Sequence, residues 1–222
     1  MPIKSNREYR NMKIGVRADV GDDKDLEMRV TGYASTFDEP YKLFDGDGWE
    51  YWETVDRNAF DETDMSDVIM QYDHRGRVFA RTRNNTLEVT TDDEGLFIEA
   101  NLGGTEIGRE LYEEIRGGYT DRMSFGFTVT GESEDREKDE NGIVKFTRHI
   151  TKVGKLFDVS AVSIPANDGT SIGVDAVSRS LADARDGVIE RIEAERLQEE
   201  KRENDRRRAE VRAKALSIGG QK

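Results

Sequence analysis

Arg122-Met123-Ser124-Phe125-Gly126-Phe127-Thr128-Val129 decides the fold. In an extended chain, alternation puts Met123, Phe125, Phe127 and Val129 on one face and Ser124, Gly126 and Thr128 on the other. The stretch is a strand with one apolar face. Outward from it, residues 28–37, 68–72, 86–89, 96–102, 143–153 and 156–164 are also rich in β-branched or aromatic side chains. Asp-Asp-Glu-Gly at 92–95 and Asp-Glu-Asn-Gly at 139–142 punctuate them as hairpin turns, since Asn and Gly tolerate positive φ. One helix interrupts the pattern: Thr105 precedes an apolar stripe of Ile107, Leu111 and Ile115, and Gly117-Gly118 stops it. The stripe must cover one side or end of the sheet. The expected class is mainly β with flanking helices, α+β.

Composition sets the domain plan. The chain has 222 residues, room for one main domain and an appendage. Apolar residues are 35% and charged residues 36%, a balance that leaves part of the chain solvated. After residue 179 the sequence turns into an Ala/Glu/Arg run without proline, favouring a helix held by exposed ion pairs. Val188, Ile189, Ile192 and Leu197 offer only a short seam for a partner or for self-association. The plan is an N-terminal segment, 1–27, in part flexible; a β domain, 28–178; and a charged helical tail, 179–222. The acidic stretch 132–140 reads as an extended, solvated hairpin tip.

A net charge of −13 argues against nucleic-acid binding, which needs a positive surface, and favours protein partners. Without cysteine there is no disulfide framework, thiolate metal site or cysteine nucleophile. No window approaches the roughly 18 apolar residues of a membrane span. The N-terminal Met-Pro-Ile-Lys-Ser-Asn-Arg-Glu-Tyr-Arg lacks a secretory apolar stretch, so the expectation is a soluble intracellular protein.

Two histidines make the search for a nucleophile–base pair short. His74 follows the apolar strand Val68-Ile69-Met70, well placed to face a cleft or simply to be a half-exposed side chain. Ser124 points away from the apolar face of its strand, and Gly126, on the same side, lets another group approach closely. A strand serine bonded to a neighbour fits the pattern equally well. Asp158 interrupts a run apolar on both faces, Leu156-Phe157-Asp158-Val159-Ser160-Ala161-Val162, where a carboxylate must be paired. It can orient a histidine as in serine-protease triads, or it can pair with Arg122 or Arg148. His149 ranks behind it as a third member. Asp45-Gly46-Asp47-Gly48 lacks the full ligand series of a calcium loop and reads as a turn. Gly103-Gly104 has no Lys-Ser/Thr after it, against a phosphate loop. No cofactor or metal is called for.

In order along the chain, several landmarks resemble the prohead maturation proteases of tailed bacteriophages, the HK97-type serine peptidases. They are Gly32-Tyr33-Ala34-Ser35-Thr36-Phe37 with Pro40-Tyr41, Val55-Asp56-Arg57-Asn58-Ala59-Phe60, Asp73-His74, Gly95-Leu96-Phe97-Ile98-Glu99-Ala100, the glycine-ended helix, Met123-Ser124-Phe125-Gly126-Phe127, and Asp158-Val159-Ser160 followed by Pro165-Ala166-Asn167. The resemblance covers most of 28–177. It implies His74 and Ser124 as catalytic residues with Asp158 as third member, where the family usually has glutamate. Through kinship with the herpesvirus assemblins it implies a small β-barrel core. It further implies a procapsid setting in the host cytoplasm, with the scaffold protein, the scaffold segment of the major capsid protein and the protease itself as substrates. The turn at 165–169 is its candidate oxyanion-hole supplier. The alternative is a noncatalytic assembly protein that binds capsid or scaffold.

Overall fold

The computed structural model describes residues 7–12, 17–18, 28–162 and 175–219. The chain divides into two compact units, Met1–Leu181 and Ala182–Lys222. In chain order the first carries β1 (Glu8–Met12), β2 (Arg17–Ala18), β3 (Arg29–Thr36), β4 (Tyr41–Gly46), β5 (Trp49–Val55), β6 (Ile69–Tyr72), β7 (Arg75–Arg81), β8 (Leu87–Thr91), β9 (Gly95–Asn101), helix α1 (Glu106–Arg116), β10 (Arg122–Lys138) and β11 (Val144–Val162).

The strands form two open sheets. One runs β1-β10-β11-β5-β4, with β6 also paired to β11 and β7 to β6; the other runs β2-β3-β9-β8. The α+β class is as expected. The closed barrel is not: among the described residues both sheets keep free ends, because β4 and β1 terminate the first and β2 and β8 the second.

β11 organises the larger sheet. The spacing of apolar residues suggested separate strands at 143–153 and 156–164, but one strand of 19 residues runs through Gly154 to Val162; residues 163–164 lie outside the described residues. Antiparallel β10 follows it along its length, and register shifts between Gly126 and Glu132 absorb the extra twist. On its other side β11 takes two parallel partners in succession, β5 along Val144–Ile150 and β6 along Asp158–Ala161. The acidic stretch 132–140 is exposed, extended chain leading into the Asp139–Gly142 turn, as its composition suggested.

The apolar face of β10 builds the core. Met123, Phe125 and Phe127 are fully buried, with Phe125 and Phe127 stacked 4.4 Å apart, among Val30, Ala34, Leu96, Ile98 and Leu156. α1 starts at Thr105, whose hydroxyl accepts from the Gly108 N–H at 3.1 Å. Its buried face is Gly108, Leu111, Tyr112 and Ile115, with Ile107 only half-buried. Of the glycine pair at its end, Gly118 takes the left-handed conformation, φ 74°. The expected tail helix is α2 (Asp175–Gly219), which accounts for the described part of the second unit. On it Val188 is buried, Ile189 and Ile192 are half-buried, and Leu197 is 66% exposed. Exposed pairs such as Arg196–Glu200 and Arg206–Glu210 contribute only a few tenths of a kcal/mol each.

Helix propensity and packing oppose each other at Gly108. Alanine is the better helix former by about 1 kcal/mol. A methyl group there, however, would overlap the Leu102 carbonyl oxygen and stand 3.1 Å from Thr105 Oγ1. Gly108→Ala is therefore expected to destabilise the protein, by about 1–3 kcal/mol in urea unfolding; a gain in stability would contradict this packing.

Candidate active site

The β6–β7 hairpin presents His74. Tyr72 pairs with Arg75, so Asp73 and His74 are the two central residues of its turn, and both are left-handed, with φ 50° and 57°. That is the backbone of a type I′ hairpin turn, which favours Asn-Gly or Asp-Gly. A histidine in the glycine position costs of order 1 kcal/mol and persists only where its surroundings hold it. The Asp73 N–H anchors the turn to the Ala161 carbonyl of β11 at 3.0 Å.

Cross-strand register does the rest. Ser124 faces Ser160 across β10 and β11, Gly126 faces Asp158, and Asp158 faces Ile69 of β6. His74 Nδ1 lies 2.5 Å from Asp158 Oδ1, and His74 Nε2 lies 2.5 Å from Ser124 Oγ. All three side chains have zero exposure.

Asp158 decides the hydrogen positions. Burial pushes its carboxyl up, but the hydrogen bond and charge of His74, the charge of Arg7 and the hydrogen bond from Ser160 outweigh it and hold it below the usual carboxylate range. The ionised carboxylate only accepts: from Ser160 Oγ at 2.8 Å onto Oδ1, from Arg7 onto Oδ2, and from His74. His74 therefore donates through Nδ1, and when the imidazole is uncharged its Nε2 offers a lone pair to the Ser124 hydroxyl. This is the arrangement of a serine nucleophile, a general base and an orienting carboxylate.

Gly126 makes room for it. A methyl group there would overlap Asp158 Oδ2 and stand 2.8 Å from the Tyr9 ring. The close approach that its strand position allows is that of the carboxylate itself, together with the N-terminal segment.

Other candidates fall elsewhere. His149 sits nine residues before Asp158 on β11, roughly 30 Å along an extended strand, with Nε2 3.1 Å from Asp135. Neither Arg122 nor Arg148 pairs with Asp158: Arg122 lies beside Asp121, and Arg148 binds Glu8, Glu53 and Glu132. The partner is Arg7, from the segment whose composition marked it as flexible. The turn at 165–169 lies outside the described residues.

Sequence reasoning missed β1 altogether. It pairs antiparallel with β10, Asn11 opposite Ser124 and Tyr9 opposite Gly126, so that Tyr9 lies edge-on to the His74 ring at 4.5 Å. The Arg10 carbonyl oxygen is 2.9 Å from Ser124 Oγ. The Arg10 side chain, 1% exposed, reaches the fully buried Glu53 at 2.5 Å and 2.9 Å. Glu53 also accepts from Tyr41 at 2.6 Å and Arg148 at 2.9 Å. Burial tends to raise the Glu8 carboxyl, but Arg148 and Arg10 draw it down to about 2. Nothing in the spacing of Glu-Tyr-Arg-Asn-Met distinguishes these residues from other surface charges; only the pairing with a distant Glu53 does.

Residues 13–186 match the family model described as caudovirus prohead serine protease. No curated protein and no solved structure shows significant similarity to the chain.

Two outcomes follow from the geometry. Gly126→Ala should leave the fold intact by circular dichroism but displace Asp158, lowering the rate at which Ser124 reacts with a fluorophosphonate by about a hundredfold or more; an unchanged rate would contradict the close approach. The depressed Glu8 carboxyl stabilises β1 docking fully above about 4.5, and this is lost as pH falls toward about 2. Hydrogen exchange at residues 8–12, relative to β9, should therefore accelerate on acidification through that window, and Glu8→Gln should remove that dependence.

Proposed function

The chain belongs to the caudovirus prohead serine proteases, and on that premise we propose that Ser124, His74 and Asp158 hydrolyse peptide bonds of the scaffold protein, or of the scaffold segment of the major capsid protein, inside the assembling procapsid. The observation that carries this reading is the continuous pair of 2.5 Å contacts, Oγ to Nε2 and Nδ1 to Oδ1, assembled from β10, the β6–β7 turn and β11.

Ser124 Oγ attacks the carbonyl carbon as its proton passes to His74 Nε2. The imidazolium is stabilised by Asp158, itself held by Ser160. The tetrahedral intermediate collapses with cleavage of the C–N bond, and Nε2 returns the proton to the departing amine. Water, deprotonated by His74, then attacks the acyl carbon; the Oγ–C bond breaks, Nε2 returns the proton to Ser124 Oγ, and the acyl group leaves as a carboxylic acid that ionises. Backbone N–H groups serve the oxyanion, a contribution of about 3–4 kcal/mol for a preorganised donor. The protease itself is a further substrate, and the proposed tail, 179–222, addresses the β domain, 28–178, to scaffold or shell by protein contacts.

Coexpression with the neighbouring capsid gene product, followed by mass spectrometry of the fragments, tests the proposal. Ser124→Ala and His74→Ala should leave scaffold unprocessed, and Asp158→Asn should slow processing by roughly 10³–10⁴-fold by favouring the wrong imidazole tautomer. Normal processing by the first two variants would instead identify a noncatalytic assembly protein.

A further inference from the structure

We propose that residues 7–12 occupy the peptide-substrate groove, and that Glu53 makes this groove selective for an arginine at the residue whose carbonyl faces Ser124. The inference rests on the proposed nucleophilic role of Ser124 and adds to it the substrate class.

β10 has β11 on one side and β1 on the other between Met123 and Phe127. Without β1 that edge is a row of unpaired backbone groups beside the nucleophile, a template for an extended peptide. β1 fills it as such a peptide would. Its alternate side chains divide between two faces. Arg7 and Tyr9 lie on the Ser124 face, against Asp158 and His74. Glu8 and Arg10 lie on the other, with the Arg10 guanidinium 5.8 Å from the Phe127 ring.

The pocket under Arg10 is built without β1. Tyr41 holds Glu53 Oε1, Arg148 holds Oε2, and Glu132 holds Arg148 at 2.6 Å. Those fixed groups comprise two carboxylates, Glu53 and Glu132, against one guanidinium, so the pocket is one positive charge short of balance. An arginine supplies it through the two-point contact that a planar guanidinium makes with a carboxylate. Glu8, two residues earlier, takes up the remaining donors of Arg148 at 2.7 Å and 3.0 Å. The groove thus fits an acidic residue and, two positions on, an arginine.

The register also names the bond. The carbonyl within reach of Ser124 is that of Arg10, so in a substrate the arginine is the acyl donor and the next residue supplies the leaving amine. Oγ bonds to the arginine carbonyl carbon, the C–N bond after arginine breaks, the proton moves from Oγ through Nε2 to the amine, and water frees a C-terminal arginine. As docked, the Arg10 carbonyl oxygen competes with Nε2 for the single Ser124 hydroxyl hydrogen. The resident strand therefore blocks the site that it resembles.

Isothermal titration calorimetry on the full-length Ser124→Ala/Arg10→Ala chain reads the groove without catalysis. An end-capped Glu-Tyr-Arg-Asn-Met peptide is expected to bind, at least about a hundredfold more tightly than Glu-Tyr-Glu-Asn-Met, and adding Glu53→Gln should weaken the arginine peptide by about tenfold or more. In a second arm, Arg10→Ala in the otherwise unaltered chain should be labelled at Ser124 by a fluorophosphonate about tenfold faster than the parent, and the arginine peptide should reverse this. Arg10→Gln, which retains the stem, serves in both arms if circular dichroism shows Arg10→Ala unfolded. Equal binding of the two peptides, or binding of neither, overturns the inference. Absence of labelling from every folded variant, with peptide selectivity intact, overturns the nucleophile and leaves the arginine pocket standing.

Discussion

A carboxylate with no solvent exposure in the middle of a strand is tolerable only when ionised and fully partnered, and Asp158 imposes that requirement on everything around it. Its Oδ1 accepts from His74 and Ser160, and its Oδ2 from Arg7. Satisfying it draws a hairpin turn, the strand beside it and the N-terminal segment to one point. Gly126 must lack a side chain because the carboxylate occupies the space where one would be. His74 is held in a backbone conformation that histidine seldom adopts, in part by the hydrogen bond that the carboxylate accepts. A buried charge that is costly to the fold is therefore the one that assembles the proposed chemistry.

The two buried charge networks share β1. On one face of the larger sheet, Arg7 completes Asp158; on the other, Arg10 completes Glu53. That strand has five residues and pairs with β10 alone among the described strands. Its docking depends on charge-assisted hydrogen bonds at both faces, which makes it sensitive to protonation of Glu8 and to competition by a peptide of similar charge pattern.

Much of the fold was legible where one periodicity dominated. The alternation at 122–129, the glycine-ended helix and the acidic hairpin were read from local pattern, and the structure contains each of them. Trp49–Val55 and Arg75–Arg81 escaped because their strand character is masked: the first buries Glu53 and Thr54, and the second leaves most of one half exposed. The break expected in β11 at Gly154 was wrong because a continuous partner strand carries the chain through a glycine that local propensity would count as a stop. His74, Ser124 and Asp158 are candidates by local pattern, as a strand-end imidazole, an outward serine and a carboxylate in an apolar run, and only the family resemblance joins them. Their mutual distances could not be read from the sequence.

Sequence alone determined what depends on neighbours along the chain: the faces of β10, the start and stop of α1, the charged helical character of the tail, and the need for Asp158 to find a partner. Tertiary structure decided which partner. Arg7, Arg122 and Arg148 carry the same guanidinium, and only the registry of β10 with β11 and with β1 puts Arg7 beside Asp158, while that of β11 with β5 puts Arg148 beside Glu53. Coulomb attraction is blind to order along the chain and depends on separation in space, so pairings between residues 95 and 151 positions apart are settled when the strands take their registers.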